Sequence, residues 1–207
     1  MSSSVLRGAR NLRAAGRMLV ILTVLLGVLY PLLVTGIGQL FFPSRANGSL
    51  LEEDGRTVGS SLIGQSFTDD SGSPLRRYFQ SRPSAAGDRG YDASASGGTN
   101  LGPENPALIA DITARRAGVA ALEGVRPEDV PADAVTSSAS GLDPHISPAY
   151  AAIQVRRVAA ARGMDEDAVR DLVATYTEEP DLGFIGDPVV NVVTLNLALD
   201  RAEQDGR

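Results

Sequence analysis

Apolar positions form one unbroken block near the start of the chain, then several short periodic ones. Met18 to Phe42 is 25 residues without a charge. At about 1.5 Å per residue this reaches roughly 37 Å as a helix, enough to cross a hydrocarbon core of about 30 Å with some tilt. The block predicts a transmembrane helix over 18–42, kinked near its middle by Pro31. A cleavable signal peptide is the competing reading, since Ser44-Arg45-Ala46 weakly resembles a small-x-small cleavage site. The apolar run is about twice the usual 7–15 residues of such a leader, which favours an uncleaved anchor. Gly36, Gly38 and Gln39 sit on its second half. Small residues let another helix approach, and Gln39 could hydrogen-bond across that contact.

Beyond the span, a first short strand ending at Leu50-Leu51, a Glu53-Asp54-Gly55 turn and a strand from Thr57 to Ile63 predict a hairpin. A polar stretch rich in Gly, Ser and Pro follows over 68–105, with Tyr78, Phe79 and Tyr91 as its anchors. A loop that long inside a compact domain points to function. Three helices carry clear start and stop signals. Asn105-Pro106 opens the first, whose Leu108, Ile112, Val119 and Leu122 share a face up to Gly124. Ser147-Pro148 opens the second, with Ile153, Val155 and Val158 before Gly163. Asp165 caps the third, Met164 staples Val169, and Leu172, Val173 and Tyr176 follow at helical spacing. The β-branched run Pro188 to Leu195 predicts a last strand leading into a short helix over 196–200. Strands and helices out of strict alternation predict the α+β class. The expected organisation is a tail over 1–17, a transmembrane helix over 18–42 and one mixed α+β domain over 43–207.

Charge orients this arrangement. Residues 1–42 carry Arg7, Arg10, Arg13 and Arg17 and no acid, whereas the rest holds 15 arginines against all 25 acids, a net of −10. Basic residues flanking a span stay in the cytoplasm, so the acidic body is expected outside it, on a single-pass protein of the cell membrane. A net charge of −6, no tryptophan and 5% aromatics argue against nucleic acid. The absence of cysteine removes disulfides and thiol chemistry, and one histidine cannot make an all-histidine metal site. Every basic residue is arginine, so neither a Walker lysine nor a Schiff base is available. Thiol chemistry, lysine-dependent chemistry and an all-histidine metal site are therefore not expected of this chain.

Two polar loops remain as candidate chemistry. Asp143, His145 and Ser147 are the residue types of nucleophilic catalysis. Three groups in one short loop rarely bond in series, however, and there is no G-x-S-x-G elbow. A turn at Asp143-Pro144, a local hydrogen bond to His145 and a helix cap at Ser147 explain them structurally. A partner contact is the next reading. A membrane-anchored hydrolase, or a free-standing binding module using this loop, is the alternative function. The second loop, Ser96-Gly97-Gly98-Thr99-Asn100, could turn backbone amides toward an anion and loosely resembles the Ser-Gly-Gly signature of ABC ATPases. Its expected extracytoplasmic side is poor in ATP, so a tight turn fixed by Asn100 is the simpler reading.

Taken in order, these segments resemble the KdpC family, the accessory subunits of bacterial Kdp potassium-transporting P-type ATPases. The resemblance covers nearly the whole chain. It runs through Asn47-Gly48-Ser49, Leu62-Ile63-Gly64-Gln65, Tyr78 to Ala85, Ser96 to Pro103, Val135 to Pro148, and Val190 to Asp200. Thr99, where serine is expected, and Asp187, where glutamate is common, are small departures. The resemblance implies a non-catalytic subunit needed for assembly with a potassium-translocating KdpA, an ATPase KdpB and a small KdpF, in a lipid bilayer. It also implies a proposed catalytic-chaperone role raising the ATP affinity of KdpB, with Gln154 as the nearest match to a glutamine in that proposal. ATP enters only through the ATPase subunit, because the expected topology conflicts with direct contact.

Overall fold

The computed structural model describes residues 3–205, in two compact units that divide between Leu50 and Leu51. In the first unit, α1 (Ser3–Val24), a π-helical turn over Leu25–Leu29 and α2 (Tyr30–Phe41) form one continuous helix. Its stretch Gly8–Phe41 is 34 residues long, and its richest window has a mean hydropathy of 2.5. Among the described residues this is the one helix long and apolar enough to cross a membrane. The helix therefore begins inside the arginine-bearing tail, which the apolar pattern alone treats as a separate segment. Ala, Leu and Arg are strong helix formers, so the tail continues the span for lack of any breaker. Pro31 lacks an N–H, and its ring crowds the carbonyl four residues earlier. The turn just before it is widened: the Tyr30 N–H donates to the Leu25 carbonyl, five residues back. After Phe42 the short α3 (Pro43–Ala46) turns the chain, and the amides of Gln39 and Asn47 exchange two 3.1 Å hydrogen bonds.

The chain enters the second unit through the hairpin β1 (Leu50–Glu53) and β2 (Arg56–Ser60). Asp54 (φ 49°) and Gly55 (φ 72°) both adopt left-handed backbone, the turn that matches strand twist. The first strand begins, rather than ends, at Leu50. The second stops at Ser60, whose hydroxyl accepts from the Leu62 N–H and starts a turn short of Ile63.

α4 (Pro106–Glu123), α5 (Pro148–Arg162) and α6 (Glu166–Thr175) follow the capping signals. Asn105, Ser147 and Asp165 each accept first-turn amides, and Gly124 and Gly163 close α4 and α5 in left-handed conformation. The last element departs from expectation. β5 is only Val189–Asn191, and α7 (Val192–Asp205) takes over where a strand to Leu195 was expected. Asn191 is the reason. Its carboxamide oxygen accepts from the Val193 and Thr194 amides, an N-cap that overrides the strand preference of the β-branched run. β5 is the central strand of an antiparallel sheet. It pairs on one side with β3 (His145–Ile146) and on the other with β4 (Thr177–Glu178).

The core lies between this sheet and α5, α6 and α7. Phe79, Ile146, Val158, Val169, Val190, Leu195 and Leu199 are fully buried, each contributing about 1.5–3 kcal/mol of transfer free energy. The long polar stretch before α4 is ordered by side chains rather than by strands. Phe79 donates its N–H to Asn196 and accepts the Asn196 amide at its carbonyl. Gln80 makes the same exchange with Gln154. Arg157 donates to the carbonyls of Arg76 and Tyr78, and pairs at 2.8 Å with Glu123. These buried bonds substitute for the missing backbone ladder.

Candidate functional site

The two polar loops, 44 residues apart in sequence at Ser96 and Ser140, meet backbone to backbone. The Gly97 N–H donates to the Ser140 carbonyl at 2.8 Å, and the Ser96 hydroxyl donates to the same oxygen at 3.0 Å. Asn100, itself left-handed (φ 52°), closes its turn by donating to the Gly98 carbonyl. The contact needs glycine on the loop that leads into Asp143. At Gly141 (φ 68°) a methyl would stand 2.7 Å from the Gly97 carbonyl and 2.9 Å from the Ala86 backbone. A methyl on Gly98 would meet the Ala139 carbonyl at 3.1 Å, whereas at Gly97 it would find open space.

A third segment ties these loops together. The Ser84 hydroxyl donates to the Gly141 carbonyl at 2.5 Å and accepts from the amides of Ala86 and Tyr91. The Tyr91 hydroxyl donates to the Arg82 carbonyl, and burial pushes that hydroxyl's pKa up to about 12. The Arg82 guanidinium reaches one Asp143 oxygen at 3.0 Å. The other Asp143 oxygen accepts from the His145 amide and from its ring Nδ1 at 3.1 Å. Since a carboxylate only accepts, Nδ1 carries the hydrogen. Burial raises the Asp143 carboxyl, but the His145 hydrogen bonds and the Arg82 charge outweigh it and hold the group below its ordinary range. The hydrogen bond to Asp143 outweighs burial at His145 and raises the imidazole, with a further push from Glu178.

Ser147 stands apart. Its hydroxyl donates to Asp133 at 2.9 Å, its N–H bonds the same carboxylate, and its oxygen accepts the Tyr150 amide. The order Asp143–His145–Ser147 is broken at its last step, because the serine proton points away from the imidazole. The arrangement is a clamp: one carboxylate bridges an arginine and a histidine and ties the Arg82 segment to the Asp143–His145 loop.

The remaining candidates lie elsewhere. Gln154 is fully buried, with its amide on Gln80 and its oxygen also accepting from Arg157, so its polar atoms are spent inside the core. Gly36 has open space around it, and Gly38 has Ala46 within ordinary contact at 3.7 Å. Gln39 is bonded to Asn47. Among the described residues no group of three or more His, Asp or Glu side chains is placed to hold a metal. Sequence reasoning missed Arg82 and Ser84 as clamp residues. Both stand in the Tyr78–Ala85 block that carries the resemblance, but nothing local ties Arg82 to a carboxylate 61 positions later.

A family profile described as KdpC, K+-transporting ATPase, c chain, matches residues 12–201. Curated proteins named potassium-transporting ATPase KdpC subunit align along most of the chain. One from Methylococcus capsulatus (strain ATCC 33009 / NCIMB 11132 / Bath) is 54% identical over 88% of this chain and 93% of its own. One from Kineococcus radiotolerans (strain ATCC BAA-149 / DSM 14245 / SRS30216) is 50% identical over 98% and 99%. One from Sorangium cellulosum (strain So ce56) is 54% identical over 93% and 98%.

Proposed function

Because the chain belongs to the KdpC family, we propose that it acts as a non-catalytic accessory subunit whose folded domain holds its transporter together. Membership makes it a subunit of a potassium-transporting ATPase, and its apolar helix suits membrane association. The finer reading gives it KdpA, KdpB and KdpF as partners. The arginine-bearing end of the helix lies in the cytoplasm and the α+β domain outside, by the charge asymmetry about the span.

The observation that carries this reading is the Arg82–Asp143–His145 clamp. Both Asp143 oxygens are engaged, by Arg82 and by the His145 ring and amide, which suits a rigid shape offered to a partner. Burial of Gln154 supports an indirect influence on the ATPase subunit. Any effect on ATP affinity then travels through docking, without this chain touching the nucleotide.

The clamp also supplies the test. A histidine that donates one hydrogen bond contributes about 1 kcal/mol, whereas a general acid or base contributes roughly 10²–10⁴-fold in rate. His145→Gln in the co-expressed complex should keep most potassium-stimulated ATPase activity. Asp143→Leu, which strands Arg82, should lower the yield of complex. Loss of turnover by His145→Gln in a complex assembled at normal yield would return the loop to chemistry.

A further inference from the structure

Between β4 and β5 the chain runs through Glu179 to Pro188 and displays large apolar side chains to solvent. Leu182 is 82% exposed, Phe184 77% and Ile185 54%. These are not the loose residues of a frayed loop. Asp181 and Ile185 exchange both backbone hydrogen bonds, at 3.1 and 2.9 Å, and the Gly183 N–H donates to the Pro180 carbonyl at 2.8 Å. Leu182 holds a left-handed backbone (φ 55°) that disfavours any residue with a Cβ. The finger is therefore built, rooted at both ends in the central sheet, and strained at the residue it displays most. Aromatic side chains are scarce here. Of the phenylalanines beyond the membrane segment, Phe67 packs on the core and Phe79 is wholly buried, whereas Phe184 faces solvent.

The surrounding charge narrows what can cover it. Glu178, Glu179, Asp181 and Asp187 are exposed around the tip, and no basic residue lies between positions 177 and 187. A lipid surface is a poor match, because interfacial anchors pair their apolar face with Lys and Arg against lipid phosphates. A second copy docking through the same finger would bring two acidic rims together. We propose that this finger is a docking element that seats Leu182 and Phe184 in an apolar pocket with a basic rim on a protein partner. Resting on the accessory-subunit reading, the partner is a membrane-embedded subunit of the transporter, met on the side where the α+β domain lies. Apolar anchors at the centre and complementary charge at the rim is how protein interfaces gain both stability and orientation.

The lack of cysteine makes the test single-site. A Phe184→Cys full-length chain, carrying a benzophenone maleimide, is irradiated in membranes that contain the co-expressed transporter subunits. The expected product is a crosslink to one larger protein subunit. Separately, Leu182→Gly with Phe184→Ser removes both anchors while relieving the turn. It should cut copurification at least tenfold while the thermal melt of the solubilised chain falls no lower than that of the wild type. Crosslinking only to lipid, only to a second copy, or to nothing would overturn the proposal. So would copurification of the double variant at the wild-type level. A crosslink to a protein outside the potassium transporter would uphold the finger and defeat the accessory-subunit reading instead.

Discussion

Asp143 shows how one side chain serves two partners and makes stability depend on pH. The folded chain holds the His145 proton more tightly than the unfolded chain does, so that contribution is whole below about pH 6.5 and disappears as pH rises through the raised folded value. Asp143 behaves oppositely. Its depressed folded pKa adds stability above the ordinary carboxylate range near about 4, and this is lost as pH falls through the folded value. Both contributions are present together only between these limits. Urea midpoints of the detergent-solubilised chain should therefore fall between pH 5.5 and 8.5 relative to those of His145→Gln, which lacks the titrating ring. Parallel midpoints would mean that the pair does not couple to folding. The local half of this pair is legible in sequence, since Asp143 and His145 lie two positions apart. Arg82 is not, and neither is the burial of Gln154 and Arg157. Polarity alone assigns those two to the outside of α5, yet they share its buried face with Val155, Val158 and Ala159.

Among elements, the continuous membrane helix is the one with an open question for a partner. A leucine at Gly36 would project into open space, while one at Gly38 would also press on Ala46 in α3. Gly36→Leu is therefore the cleaner probe of a packing face. If another helix packs there, the variant should insert normally and lose at least half of its copurification with the transporter. Unchanged yield would show that the glycine is incidental. Element ends are legible in sequence where capping residues stand, as at Asn105, Ser147 and Asp165. The run from Pro188 to Leu195 has strand propensity because Val and Thr favour strands, while the decisive Asn191 cap sits in its middle. Asn191 also donates to the Ser61 carbonyl, a contact 130 positions away that holds the cap in place.

At the scale of the whole molecule, the proposed orientation rests on four arginines before the span and an acidic body after it. Ala152 is exposed on α5 and Ala15 is exposed on α1, so each can carry a single cysteine without disturbing the core. In intact cells, or spheroplasts where there is an outer membrane, Ala152→Cys should react with a membrane-impermeant maleimide. Ala15→Cys should react only after lysis. The reverse pattern would place the domain in the cytoplasm and reopen direct contact with ATP.

Sequence by itself determined the apolar span, the charge asymmetry about it, the three capped helices and the family. Each rests on local spacing or on ordered blocks of residues, which survive without knowledge of the fold. Tertiary structure alone decided that the Ser96–Asn100 and Ser138–His145 loops form one surface, that Ser147 turns away to Asp133, and that Leu182 and Phe184 stand out on a strained finger. Those facts depend on partners dozens of residues apart and on where burial falls. A hydrogen bond between distant groups leaves no period in the chain, because it is the packed core that brings its two ends together.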